Sequence, residues 1–289
     1  MRIKVDLESP RLLQFTCGEY SRKFVNESPD SNQSISYCYP ALEGNHIEEN
    51  IKHIDLLFLI ICIQDDTELE TAISILNVAM QIDTKVLPIV QMPYPDDYIY
   101  QQKAAINLDK LKEHTDNTMI VFPPKDKYYY EQNLMVRRFP IPSIVKTIYQ
   151  SFKGPCETTL SFKEVQQALL VPGNIYVGTG EAIGDDSAIV ATTKAIQHLK
   201  SQCPSALKSA TSILINITGN IDMSDTDVYD ALDLAKDILP EKAMLKSCAV
   251  RDFSFRKIMR VTIFCAGCGE EHISSWINPL RHNTKSVLT

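Results

Sequence analysis

Apolar segments that alternate with stretches of helical periodicity dominate the middle of this chain. The run from Leu56 to Ile63 is apolar throughout, and its length is that of a fully buried strand. Residues 85–93 and 117–122 are two further β-type segments, each ended by proline. Between the three, residues 67–81 and 104–114 place apolar side chains at helical spacing. This alternation predicts a parallel, doubly wound sheet that is covered on both faces.

The second half of the chain repeats the alternation with more polar strands. Strands are predicted at residues 174–179, 211–217 and 259–265, and helices at residues 143–152, 162–170, 187–199 and 225–239. Gly154-Pro155 marks a hinge. The predicted class is α/β. Its parts are a parallel-sheet N-terminal domain at residues 1–135, a connecting helix at 136–153, a smaller α+β C-terminal domain at 154–275 and a tail at 276–289.

The charge balance bears on the partners of the chain. Lysine and arginine number 29 against 36 aspartates and glutamates, which gives a formal net charge of −7. Nucleic-acid binding needs clustered basic residues, so no nucleic-acid partner is expected. A bilayer span needs about 20 apolar residues, and no run of that length occurs. The amino terminus lacks the apolar stretch of a signal peptide. A cytoplasmic protein is therefore expected.

Cysteine spacing suggests one possible metal or redox site. Cys265 and Cys268 are separated by two residues, and His272 follows them. Structural zinc needs four ligands, and the chain has no second pair of this spacing. The pattern favours buried thiols at the end of a strand over a metal site.

A series of short motifs in fixed order resembles the bacterial tubulin homologue FtsZ. The strongest are Ile215-Asn-Ile-Thr-Gly219, Asp222-Met-Ser224 and Arg260-Val-Thr-Ile263, which are similar to motifs of the family's C-terminal domain. The segment from Gly178 to Gly184 is similar to the family's G-I-G-x-A-x-G. The spacing of its glycines is wrong for a dinucleotide loop, and a strand-to-helix turn explains them instead. With weaker matches upstream, the resemblance covers about residues 50–270. It implies the tubulin/FtsZ arrangement of domains, and a GTPase that assembles head to tail.

The phosphate loop of the resemblance is degenerate. The family has G-G-G-T-G-T-G at the start of a helix, where the glycines let backbone amides approach the phosphates. The matching positions here are Gln64, Asp65, Asp66, Thr67, Glu68, Leu69 and Glu70. Thr67 alone is retained, and up to four carboxylates replace the open backbone. The acids could instead simply favour the positive end of the helix, with Thr67 and Glu70 as a capping box. Either interpretation opposes ordinary GTP binding.

The first glycine loop is also missing from its expected place. It should follow a strand at Ile3-Lys-Val5, but glycine does not occur before Gly18. The segment before Asp55 is too short to hold the family's first two strand–helix units in full. The N-terminal domain is therefore expected to be truncated or remodelled.

The catalytic loop of the resemblance has changed as well. The family has N-x-D-F-x-D, whereas this chain has Thr159, Ser161 and Glu164 at the acidic or amide positions, with Phe162 retained. A serine hydroxyl at its normal pKa cannot act as the base that a carboxylate provides. No catalytic residue is therefore assigned, and Glu164 is expected to be solvated.

These departures lead to three functional hypotheses. The first is a prokaryotic, cytoskeletal, FtsZ-like protein without GTPase activity or cofactor, which self-associates or pairs with another FtsZ/tubulin-like protein. In that assembly the acidic loop at 64–70 would face Lys163 or Lys153 of the next subunit. The second is a divergent protein that still binds GTP and hydrolyses it slowly. The third is a monomeric adaptor.

Overall fold

The computed structural model describes residues 10–26, 35–38, 46–94, 97–123, 140–153 and 159–269. The predicted strand at Ile3–Val5, the hinge at Gly154-Pro155, His272 and the tail lie outside these residues. The elements are β1 (Leu12–Thr16), α1 (Glu19–Asn26), β2 (Ile35–Cys38), α2 (His46–Ile51), β3 (Leu56–Cys62), α3 (Asp66–Gln81), β4 (Val86–Gln91), α4 (Tyr98–Lys112), β5 (Asn117–Val121), α5 (Pro140–Lys153), α6 (Phe162–Leu169), β6 (Gly173–Ile183), α7 (Ser187–Gln202), α8 (Ala206–Ser209), β7 (Ser212–Gly219), α9 (Asp225–Lys236), β8 (Met244–Arg251), a 3-10 turn (Phe253–Phe255) and β9 (Ile258–Cys268).

The described strands form one nine-stranded sheet in the order β2-β1-β3-β4-β5-β6-β9-β7-β8. Strands β2 to β6 pair in parallel, and β7 pairs in parallel with β8. Strand β9 lies between β6 and β7 and is antiparallel to both. The predicted α/β class with a parallel sheet is confirmed.

Both faces of the sheet are buried, which explains the unbroken apolar run of β3. Leu57, Leu59 and Ile61 belong to the core on one face, which also contains apolar side chains of α3 and α4. Phe58 and Ile60 belong to the core on the other face, which contains side chains of α5 and α6. A strand with helices on both sides has no solvated face, so it does not alternate in polarity.

The region before Asp55 contains two strand–helix units, β1-α1 and β2-α2. The sequence analysis predicted that this region is too short to hold two such units in full. Their helices are short, with 8 and 6 residues. The parallel strand that pairs with β3 is β1, and Gly18 follows β1 within two residues. A glycine therefore does stand in the first loop.

The sheet continues through the predicted domain boundary, because β5 pairs with β6 in parallel. The domain limits stay a prediction. The predicted strand at residues 174–179 continues to Ile183 as β6, so Gly178 and Gly180 both lie inside it and face α7 at close range. A Cβ at Gly180 would lie 2.1 Å from the Ala191 carbonyl oxygen, so glycine permits this helix–strand approach. Within the described part of the chain, no helix combines the length and apolarity that a bilayer crossing requires.

Candidate functional site

The acidic segment after β3 turns into α3 at the carboxyl end of the parallel strands. Asp65 is the N-cap of α3, and its side chain accepts a hydrogen bond of 2.9 Å from the Glu68 backbone N–H. This bond satisfies one of the first-turn amides that a helix leaves without an internal partner. The expected capping box of Thr67 and Glu70 is therefore wrong, because the helix begins two residues earlier.

Asp66 links α3 to α4. Its carboxylate accepts a hydrogen bond from Asn107 Nδ2 at 3.0 Å and lies 2.9 Å from the Lys103 ammonium. These two donors hold the pKa of Asp66 below its ordinary value. Asn107 also donates to the Ile63 carbonyl oxygen at 3.0 Å, so the loop between β3 and α3 is fixed against α4.

Glu68 is the one acid of the segment whose side chain points into the protein. It is 1% exposed, and its two oxygens accept hydrogen bonds of 2.8 Å from the backbone N–H groups of Ser21 and Cys62. Ser21 lies in the first turn of α1, and Cys62 is the last residue of β3. Burial raises the pKa of Glu68, although these hydrogen bonds oppose the rise.

Gly18 makes room for this carboxylate. A Cβ at position 18 would lie 2.5 Å from Glu68 Cγ and 2.7 Å from Oε1, closer than non-bonded atoms approach. The glycine in the first loop is thus packed against a glutamate side chain. The Glu68 side chain thus connects the ends of β1 and β3.

The thiols beside Glu68 are unreactive. Burial, with the nearby Glu68 charge, raises the pKa of Cys17 well above its ordinary value and that of Cys62 to about 12. The thiolate is the nucleophilic form of cysteine, so neither side chain is suited to nucleophilic chemistry.

The remaining members of the predicted loop lie apart from this contact. Gln64 is half-buried in the turn, and Thr67 and Glu70 are exposed on α3. The carbonyl oxygens of Thr67 and Glu70 accept hydrogen bonds from the Thr71 and Ser74 hydroxyls. The four acids therefore occupy separate environments. The sequence analysis placed all four at one phosphate-binding position, but their side chains do not converge there.

The second predicted loop forms a helix cap. Ser161 is the N-cap of α6 and makes a reciprocal capping box with Glu164. Glu164 also lies 2.9 Å from the Lys246 ammonium, and these donors, Lys246 first, lower its pKa to about 2. The expectation that Glu164 is merely solvated is therefore corrected. Thr159 is exposed, and the ring of Phe162 packs edge-on against Phe152.

The two predicted loops lie at opposite ends of β3. Residues 64–70 follow the strand, whereas Gln166 of α6 donates a hydrogen bond of 3.1 Å to the carbonyl oxygen of Asp55, just before the strand. Seven residues at about 3.3 Å each place the two loops roughly 20 Å apart. They cannot act on one ligand within a single chain.

Cys265 and Cys268 are buried in β9. Burial raises the pKa of the Cys268 thiol to about 12 and that of Cys265 further. In the described ranges, no cluster of three or more histidine, cysteine, aspartate or glutamate side chains could hold a metal ion.

Several residues of these contacts were not found from the sequence. They are Ser21, Lys103, Asn107 and Lys246. Each belongs to a different element from the acid that it contacts, and no motif marks it. Gly18 was noticed, but its distance from the expected strand hid its position.

This chain is similar in sequence to known FtsZ proteins. Residues 173–269, about one third of the chain, match the model of the FtsZ family, C-terminal domain. The cell division protein FtsZ of Caulobacter vibrioides (strain NA1000 / CB15N) is 27% identical over 172 residues, which are 57% of this chain and 33% of that protein. The match therefore spans about a third of the length of that relative.

Solved structures share the fold over nearly the whole chain. The structure of an empty FtsZ dimer from M. jannaschii has a TM-score of 0.72 at 15% identity, and the match covers 91% of this chain and 89% of that one. TubZ of Bacillus thuringiensis serovar israelensis, in GDP-form protofilaments, has a TM-score of 0.64 at 9% identity, covering 94% and 90%.

Proposed function

We propose that this chain, which belongs to the FtsZ/tubulin superfamily, is an assembling subunit that neither binds nor hydrolyses GTP. Its setting would be the prokaryotic cytoplasm, and its partner a second copy or another FtsZ/tubulin-like protein. The proposal combines the family fold with the local chemistry of the two loops.

The observation that carries the proposal is the position of the Glu68 carboxylate. Phosphate groups bind where backbone N–H groups at helix starts are free to point at them. Here the Ser21 and Cys62 amides already donate to Glu68, and the Glu68 amide donates to Asp65. A phosphate would have to displace two attached carboxylates and share the region with their charge. The residues present therefore do not fit GTP.

The second loop supports the absence of hydrolysis. A general base must be free to accept a proton, and an acid with a pKa near 2 is a weak base at neutral pH. Glu164 is held in that state by Lys246 and the α6 cap. Ser161 donates to Glu164 and supplies no carboxylate of its own.

Assembly is supported by the placement of the loops at opposite ends of β3. Two copies stacked end to end would bring the acidic segment of one against the second loop of the next. Lys163, which is exposed on α6, would then face Asp66 or Glu70. The FtsZ dimer of M. jannaschii and the protofilaments of TubZ are associated forms of two proteins that share this fold.

Two measurements test the proposal. Isothermal titration with GTP and Mg²⁺ should give no heat at micromolar nucleotide, and sedimentation velocity should show concentration-dependent association that GTP and GDP leave unchanged. Micromolar GTP binding would instead identify a divergent GTPase, and a monomer at high concentration an adaptor.

The charge contact has a matched pair of variants. Lys163→Glu should weaken association, whereas Lys200→Glu, with the same charge change at an exposed position of α7, should leave it intact. Equal association of both variants would refute the contact. The double substitution Asp65→Lys and Asp66→Lys reverses the charge of the acidic segment that would face Lys163, and it should abolish association. Unchanged sedimentation of this variant would refute the proposed charge contact.

A further inference from the structure

We propose that Glu68 is a built-in anion, whose carboxylate replaces a bound phosphate in holding α1 against the end of β3. This end of the subunit is then kept in one state without any ligand. The inference rests on the proposed function and adds to it the means by which assembly becomes independent of nucleotide.

The geometry of Glu68 is that of a bound oxyanion. Each carboxylate oxygen receives one backbone N–H at 2.8 Å, and the two donors come from different elements. One of them, the Ser21 amide, lies in the first turn of α1, where the helix dipole favours negative charge. Backbone amides of a helix start and a neighbouring loop are the donors that phosphate sites use.

The surroundings are shaped to this side chain. Gly18 leaves the space that the glutamate stem occupies. The Gly18 N–H donates to the Ser21 hydroxyl at 3.0 Å, and that hydroxyl can donate to the Gly18 carbonyl at 3.2 Å, so the turn is closed around the carboxylate. Because Glu68 is only 1% exposed, dissolved anions have no access to the two amides that its carboxylate occupies.

The contact joins parts of the chain that are far apart in sequence. Ser21 and Glu68 are 47 residues apart, and α1 touches β1, β3 and α5. A ligand that bridges two loops couples their positions, and the bridge disappears when the ligand leaves. Because the Glu68 carboxylate is part of the chain, the bridge between α1 and the end of β3 is permanent. The positions of these two elements then do not depend on whether a ligand is bound.

Chemical rescue tests the inference. Removing the carboxylate in Glu68→Ala should lower the urea midpoint and make the Ser21 and Cys62 amides exchange with deuterium about tenfold faster or more, because each loses a bond to a charged acceptor. Formate, acetate or inorganic phosphate should restore part of the midpoint and of the amide protection. Sodium chloride at equal ionic strength should not.

Two further variants keep the test decisive. Glu70→Ala removes an exposed acid from the same helix, and its midpoint should not respond to formate. If Glu68→Ala does not fold, Glu68→Gln keeps the volume but offers one acceptor oxygen, so one of the two amides should lose protection. Unchanged exchange in Glu68→Gln, or a foldable Glu68→Ala that no small anion stabilises, would overturn the inference.

Failure of the inference and failure of the proposed function are distinguishable. GTP titration of the unaltered chain reports on the proposed function, whereas amide protection and anion rescue in the variants report on Glu68. GTP binding by the unaltered chain would refute the proposed function. Absent rescue in a chain that does not bind GTP would refute the built-in anion alone.

Discussion

Replacing Gly18 with alanine should destabilise the chain through one contact, with Glu68. The added Cβ would lie 2.5 Å from Glu68 Cγ, whereas carbon atoms pack at about 3.5–4.0 Å. The glutamate stem must therefore move by about 1 Å or more. Such a shift costs roughly 1–3 kcal/mol as overpacking, and weakens hydrogen bonds to a charged group that are worth about 1.5–3 kcal/mol each. We expect a loss of about 3 kcal/mol in the free energy of unfolding.

A double-mutant cycle isolates that contact. Urea unfolding followed by circular dichroism would be measured for Gly18→Ala, Glu68→Ala and the double variant. Without the glutamate side chain the alanine methyl group has room, so its cost should fall to about 0.5 kcal/mol and the coupling should be about 2–3 kcal/mol. Gly269→Ala serves as the control, because among the described residues no atom beyond its chain neighbours lies within 4 Å of a Cβ at that position. An equal cost of Gly18→Ala with and without Glu68 would refute this reasoning.

Three other outcomes are expected. Gly180→Ala should destabilise the chain by about 3 kcal/mol or more in urea unfolding, because the Ala191 carbonyl at 2.1 Å is backbone and cannot turn aside; a neutral substitution would contradict the observed helix–strand approach. Lys246→Met should move the carboxyl titration of Glu164 from about 2 toward 4.5 in carbon-13 NMR, since the lysine is the main cause of the lowered pKa. In the unaltered chain this contribution to stability is present above about pH 4.5 and is lost as the pH falls toward 2. For Glu68 the sign is opposite: its pKa is raised on folding, so the native state holds the proton more tightly, and the stability advantage over Glu68→Gln should decline as the pH rises above 4.5 through the folded pKa. A pH-independent difference in the urea midpoint would contradict this.

The secondary structure was largely predictable where the pattern of apolar residues within one segment is enough to identify a strand or a helix. The apolar run of β3 has the length and composition of a strand buried on both faces, and it lies at Leu56–Cys62 as expected. The helix beginning at Ser187 was likewise placed by its periodicity. Strand β8 was missed because its sequence, MLKSCAVR, mixes polar and apolar side chains without clear alternation. Strand β1 was missed because the apolar side chains at residues 3–5, closer to the amino terminus, were assigned as the first strand.

The site was predictable in composition but not in geometry. The sequence places acids at residues 65–70, and loss of the family's glycines follows from inspection. The direction of each side chain does not, because one of the two amides that bind the inward-pointing Glu68 carboxylate lies 47 residues away. The lysines that contact Asp66 and Glu164 are also far from them in sequence. Contacts of this kind depend on how elements pack, which no local pattern records.

The central position of β9 has a consequence for synthesis on the ribosome. Strands β6 and β7 run in the same direction and do not pair with each other; β9 fills the space between them. It is also the last described strand to be translated, so β6 and β7 each leave the exit tunnel with one edge open. A chain that stops before residue 258 would therefore expose the unpaired backbone edges of β6 and β7, and the addition of β9 closes the sheet from within.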